Sequence, residues 1–141
     1  MATKILVIED QEAPWENYEL VLIQICKIAK VDVDRARWYT EAQEKIESKQ
    51  YNIIFLDHRM PEDDPGCTDL SDFERFCGKL QNIGYGLLPL VQQEQPNAVV
   101  IGTSSLSRGE IGRYVAPERL LNKTNMFDEL PGIMSSIPTG E

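Results

Sequence analysis

The sequence predicts an α/β fold, a doubly wound five-stranded parallel sheet of order 2-1-3-4-5 between two layers of helices. Three observations predict it. Lys4–Ile8, Ile53–Leu56 and Ala98–Gly102 are apolar runs without polar alternation, which suits strands buried on both faces. Strand and helix patterns alternate through the first 60 residues, implying parallel strands joined by right-handed crossovers. Each apolar run empties into polar residues, and in an open α/β sheet ligands bind at that C-terminal edge.

Length and charge narrow the choice further. A chain of 141 residues with 42% hydrophobic content suffices for one domain with a core. With 14 Lys and Arg against 23 Asp and Glu, the net charge of -9 repels nucleic acid and anionic membrane. Direct nucleic-acid binding is not expected. The amino terminus runs from a short apolar stretch straight into acids, unlike a secretory signal, and no run is long enough to span a bilayer. These features place the protein in the cytoplasm. Of three cysteines, Cys26 is expected to pack as a small hydrophobe, and Cys67 and Cys77 to be reduced thiols.

The elements follow in order. After Lys4–Ile8, Trp15 to Lys30 has apolar residues at 15, 18, 21, 22, 25, 26 and 29, one face of a helix. Val31 to Tyr39 alternates as a strand with Asp32, Asp34 and Arg35 outside. Thr40 is expected to cap a short helix that buries Ala42 and Ile46. Ile53–Leu56 is the third strand. Past an acidic turn at 62–66, Ser71-x-x-Glu74 reads as a capping box opening a helix to Gln81, with Leu70, Phe73, Phe76, Cys77 and Leu80 at helical spacing. Gly84-Tyr85-Gly86 ends it, and Leu87 to Val91 begins another helix. Ala98–Gly102 is the fourth strand, Ser107 to Tyr114 a weak helix and Arg119–Asn122 the fifth strand. A last helix carries Phe127, Leu130, Ile133, Met134 and Ile137, capped by Asp128 or Asn125, with Pro131 in its first turn.

The strand ends form a constellation. Strand one delivers Glu9 and Asp10, strand three Asp57, strand four Thr103 and Ser104, and strand five Lys123. In the 2-1-3-4-5 order these ends share one edge, with strands one and three adjacent at the switch point. Crowded carboxylates repel unless a cation offsets them, and Mg²⁺ prefers such oxygen ligands while keeping waters for a phosphoryl group to displace. With its charge screened, Asp57 can attack phosphorus and become an aspartyl phosphate. Lys123 and a Thr or Ser hydroxyl would neutralise and hydrogen-bond the remaining phosphoryl oxygens.

The motifs Ile5-Leu6-Val7-Ile8-Glu9-Asp10, Ile53-Ile54-Phe55-Leu56-Asp57-His58-Arg59-Met60-Pro61, Val99-Val100-Ile101-Gly102-Thr103-Ser104 and Leu120-Leu121-Asn122-Lys123 resemble the receiver domain of two-component response regulators, the CheY-like superfamily. The resemblance implies a flavodoxin-like three-layer sandwich. It also implies that Asp57 accepts a phosphoryl group from a sensor histidine kinase or a histidine phosphotransfer protein, and that the chain then signals to a downstream protein. Glu9, Asp10, Asp57 and the backbone carbonyl of Arg59 would surround Mg²⁺, Thr103 would be the hydroxyl switch and Lys123 the phosphate contact. A homodimer is compatible with this reading.

The chain departs from the family in places. Thr124 follows Lys123 where the family has proline, and Leu120 stands where an aromatic residue usually swings on phosphorylation. Gly102 is expected to loosen the strand end before Thr103. Residues 1–138 read as one domain and 139–141 as a tail, with an insertion at about 62–85 that modulates access to the acidic pocket or packs on the sheet through Phe73 and Phe76. The sequence ends soon after the last predicted helix, so output would pass through surface contacts or onward transfer, or Ser135 to Glu141 would begin a linker. Two other readings compete. One is a pseudo-receiver that binds partners without phosphorylation. The other is a phosphatase of the haloacid-dehalogenase type, against which stands Arg59, where that family needs an acid two residues after its nucleophile.

Overall fold

Residues 3–26, 30–103, 117, 119–121 and 126–136 are described in a computed structural model of the chain. The elements are β1 (Thr3–Ile8), α1 (Glu12–Cys26), β2 (Val31–Ala36), α2 (Tyr39–Ser48), β3 (Ile53–Leu56), β4 (Arg59–Pro61), α3 (Phe73–Cys77), β5 (Leu80–Asn82), a 3₁₀ turn (Gly84–Leu87), α4 (Leu88–Glu94), β6 (Val99–Gly102), β7 (Arg119–Leu120) and α5 (Met126–Ser136).

The parallel sheet has the order β2-β1-β3-β6-β7, which is the expected 2-1-3-4-5 arrangement. All four residues of β3 are buried, as a central strand covered on both faces must be. Successive side chains then go to opposite layers. Ile5, Val7, Ile53, Phe55 and Ile101 face Tyr18, Val21 and Leu22 of α1 and Leu130 and Met134 of α5. Leu6, Ile8, Ile54 and Leu56 face Ala42 and Ile46 of α2 and Leu88 and Val91 of α4. The result is a three-layer sandwich. Gln95 ties the second layer together, accepting from the Tyr51 N–H at 2.7 Å and donating to the carbonyls of Ile46 and Lys49.

Register decides where the strands end. Ile8 pairs with both Ala36 and Leu56, Leu56 with Gly102, and Gly102 with Leu120. Those five residues stand at one level across the sheet. The residue after each therefore lies along a single C-terminal edge.

Several expectations are corrected. Trp38, in an extended conformation, precedes α2 as its cap residue, so Thr40 lies inside the helix; its N–H donates to the carbonyl of Glu62. The helix expected over 71–81 shrinks to Phe73–Cys77. Asp72 caps it by accepting from the Arg75 N–H, because Ser71 and Thr68 satisfy each other instead, each backbone N–H donating to the other's hydroxyl. Leu80–Asn82 leaves the helical pattern to pair antiparallel with Arg59–Pro61 as a separate two-stranded ribbon. Phe76 is buried, whereas Phe73 is 65% and Leu70 73% exposed, so Phe76 alone of the two phenylalanines packs inward. Gly84–Leu87 forms a 3₁₀ turn instead of a helix stop. Asp128 lies within the first turn of α5 and Pro131 in its second, while Phe127 faces outward. The expected helix from Ser107 to Tyr114, the residues Ser104, Lys123, Thr124, Asn125 and Ile137, and the side chain of Cys26 lie outside the described residues.

Candidate functional site

The site begins with the loop that leaves β1. Ile8 ends a fully paired strand, so Glu9 and Asp10 emerge from the middle of the sheet, beside β3. The Glu9 N–H donates to the carbonyl of Ala36 at 2.9 Å, and one Glu9 carboxylate oxygen accepts from the Gln11 N–H at 3.1 Å. Asp57 leaves β3 at the same level, and its Oδ1 accepts from the His58 N–H at 2.8 Å. Carboxylate oxygens of Glu9, Asp10 and Asp57 lie within 4.8 Å of one another, and all three residues are buried. With exposures of 0%, 5% and 5%, these acids repel in a setting that water screens poorly.

Such a trio suits a hard divalent cation. Mg²⁺ takes oxygen ligands and tolerates few direct protein contacts if waters complete its octahedron, and the donor set here is wholly oxygen. Arg59, whose carbonyl was expected to join that set, opens β4 two residues beyond Asp57 and stands opposite Asn82 with its side chain exposed.

On the far side of Asp57, the Thr103 N–H donates to the Leu56 carbonyl at 3.0 Å, fixing the end of β6. Thr103 is 1% exposed, and its hydroxyl has no hydrogen-bond partner among the described residues. Gly102 before it serves close packing, since a Cβ there would meet Leu120 Cδ2 at 2.9 Å and Pro117 Cγ and the Tyr85 hydroxyl at 3.0 Å. Leu121 continues the edge, its N–H donating to the Gly102 carbonyl. Leu120 is largely exposed.

Four residues that sequence reasoning left aside shape this edge. Arg35, read as a surface residue of β2, turns its guanidinium under the β1–α1 loop. It donates to the Glu9 carbonyl at 3.1 Å and the Gln11 carbonyl at 3.4 Å, pairs with Glu12 at 3.1 Å and lies over the Trp15 ring. Asp69 accepts from the Glu12 N–H at 3.2 Å, tying the long segment after β4 to the first turn of α1. His58 and Tyr85 stack with centroids 4.5 Å apart and planes at 22°. The sequence held one pointer, since His58 is the chain's single histidine and adjoins the reactive candidate.

The long segment also builds a cleft of about 420 Å³ beside the acids. Asp10, Glu12, Arg37 and Trp38 line one side, and Pro65, Thr68 and Phe76 are among those lining the other. Among the described residues no helix is long and apolar enough to cross a membrane.

No protein-family model matches the chain, and neither does any curated protein. Solved structures do. A CheY-like response regulator receiver domain from Methylobacillus flagellatus matches with a TM-score of 0.69 at 16% identity, over 98% of this chain and 100% of the other. The response regulator TrrA from Thermotoga maritima, solved with Mg²⁺ and BeF, matches with a TM-score of 0.61 at 21% identity, over 94% and 96%. The non-phosphorylated HemR receiver domain from Leptospira biflexa matches with a TM-score of 0.61 at 15% identity, over 99% of each. With a five-stranded parallel sheet of order β2-β1-β3-β6-β7 and near-complete coverage of these structures, the chain has the fold of the CheY-like response regulator receiver domains.

Proposed function

We propose that the chain is a response-regulator receiver that accepts a phosphoryl group on Asp57 and signals by the resulting conformational change. The observation that carries this reading is the convergence of Glu9, Asp10 and Asp57 within 4.8 Å, buried at the sheet edge. The donor is a sensor histidine kinase or a histidine phosphotransfer protein, acting in the cytoplasm. Residues 1–138 form the receiver, and 62–85 are an insertion within it.

Glu9, Asp10, Asp57 and the Arg59 carbonyl would hold Mg²⁺, which when bound neutralises the carboxylates and the incoming phosphoryl oxygens. An Asp57 carboxylate oxygen attacks phosphorus, the new P–O bond forms as the bond to the donor's nitrogen or oxygen breaks, and the leaving group departs with that electron pair. Thr103 donates its hydroxyl to one phosphoryl oxygen and Lys123 pairs with another. Asp57 keeps the phosphoryl group after the leaving group has departed, until hydrolysis removes it, so one transfer sets one switch and the chain is a signalling domain with only self-catalysed phosphotransfer and dephosphorylation.

Incubation with Mg²⁺ and acetyl phosphate, followed by intact mass, tests it. The wild type should gain one base-labile phosphoryl group and Asp57→Asn none. Absence of an adduct on the wild type would favour the pseudo-receiver, a reading supported by Leu120 and Thr124 standing where the family has an aromatic residue and a proline. Steady turnover of a phosphomonoester would favour the haloacid-dehalogenase type.

A further inference from the structure

We propose that His58 and Tyr85 are positioning residues that hold the Asp57 carboxylate against its acidic partners, an inference that rests on the phosphoacceptor reading. The residue after a strand end has no ladder to orient its peptide plane, so other contacts must do it. His58 is fully buried. Its N–H donates to Asp57 Oδ1 at 2.8 Å, and its carbonyl accepts from the Ile83 and Gly84 N–H groups at 2.9 and 2.7 Å. Its Nδ1 accepts from the Tyr85 N–H at 3.0 Å, and its ring stacks on Tyr85. An accepting Nδ1 carries no proton, which fixes the imidazole as the Nε2–H tautomer.

The Asp57 carboxylate thus hangs on a peptide that the returning end of the long segment grips from the other side. Tyr85, 2% exposed, reaches onward, for its hydroxyl lies 3.0 Å from where a Cβ on Gly102 would stand. One aromatic side chain therefore touches the neighbours of both Asp57 and Thr103. Any shift of the stack moves these two strand ends relative to each other.

The test uses the full chain with His58→Leu, His58→Asn and Tyr85→Leu. Mg²⁺ affinity is read from Trp38, which shares a cleft with Asp10, and labelling by acetyl phosphate is read from intact mass. All values are normalised to the folded fraction measured by urea unfolding. His58→Leu, which loses both the stack and the acceptor, should weaken Mg²⁺ binding about 10-fold, the scale for residues that orient metal ligands, and slow labelling at saturating Mg²⁺ comparably, while Tyr85→Leu, which loses the stack alone, should weaken and slow both by about 3-fold. His58→Asn, whose Oδ1 can accept from the Tyr85 N–H but which lacks the ring, should recover part of the loss, falling between His58→Leu and the wild type as Tyr85→Leu does. If His58→Leu does not fold, Tyr85→Leu carries the same comparison, because it keeps the backbone hydrogen bond and removes the stack. Unchanged affinity and rate in the leucine variants, or His58→Asn no better than His58→Leu, overturns the positioning role. A wild type that binds Mg²⁺ without becoming labelled overturns the phosphoacceptor reading while the Mg²⁺ titrations still decide this one. A wild type that binds no Mg²⁺ overturns both.

Discussion

Replacing Gly84 by alanine is the sharpest perturbation this structure offers. A Cβ at that position would stand 1.8 Å from the Asp57 carbonyl oxygen, 2.8 Å from its carbon and 2.6 Å from Met60 Cε. The methionine tip can swing away, but the Asp57 carbonyl is backbone directly after Leu56, which is paired on both sides in β3, and has little room to yield. Restoring ordinary contact needs roughly 1.6 Å more separation between the 3₁₀ turn and the end of β3, a large move for an interior packed at crystal density. That move breaks the bonds from the Ile83, Gly84 and Tyr85 N–H groups to His58, at 2.9, 2.7 and 3.0 Å. Overpacking costs about 1–3 kcal/mol and each of the three buried hydrogen bonds about 1 kcal/mol, so the total is about 4–6 kcal/mol. With a urea m-value of about 2 kcal/mol/M, the unfolding midpoint should fall by about 2–3 M. Tryptophan fluorescence during urea unfolding measures it. Gly132→Ala is the matched control, because a Cβ there meets nothing within 4 Å and the residue lies inside α5. The control should gain about 0.5–1 kcal/mol. An unchanged midpoint for Gly84→Ala, or a gain like the control's, refutes the close approach of this turn to Asp57.

Further outcomes follow from the same geometry. Phe76→Ala should cost about 3–5 kcal/mol, whereas Phe73→Ser should stay within about 0.5 kcal/mol in the same urea assay, since Phe76 is buried and Phe73 is exposed. Arg35→Ala should weaken Mg²⁺ binding about 10-fold in a fluorescence titration, because the β1–α1 loop loses the donors to the Glu9 and Gln11 carbonyls. Arg35→Lys should not rescue it, as an ammonium cannot reproduce the guanidinium fork. At the opposite end of the sheet, burial tends to raise the Asp34 carboxyl, but hydrogen bonds from Tyr51 and Lys49 outweigh it and hold Asp34 below its usual 3.8. A depressed folded value means that stabilisation is present above that pH and is lost as the pH falls through the folded value. Tyr51→Phe should therefore be less stable than the wild type at neutral pH and show a shallower loss in acid, by urea midpoints across the pH range.

The β1, β3 and β6 cores, the strand order and the meeting of Glu9, Asp10 and Asp57 were legible in the sequence. Continuous apolar runs of four or five residues bounded by polar and turn residues suit central strands, and a parallel sheet with right-handed crossovers leaves few orders to choose from. Acids placed directly after such runs must then share an edge. The extent of the long segment was not legible. Leu80 continues the helical spacing of Phe73, Phe76 and Cys77, yet Leu80–Asn82 pairs with Arg59–Pro61 across some 20 residues. Local periodicity does not report a partner so distant.

The sequence by itself determined which residues stand at the ends of β1, β3 and β6, because burial on both faces writes itself into consecutive side chains, whereas β2 stops at Ala36 instead of Tyr39 and β7 at Leu120 instead of Asn122. Only the tertiary structure decided what holds those ends in place: Arg35 beneath the β1–α1 loop, Asp69 on the first turn of α1, and Gly84 and Tyr85 against Asp57 and His58. Each of these contacts joins residues 20 or more positions apart, through one backbone group or one ring. Their sequence neighbourhoods carry no period, and the physical demand for them appears only when the chain has folded back on itself.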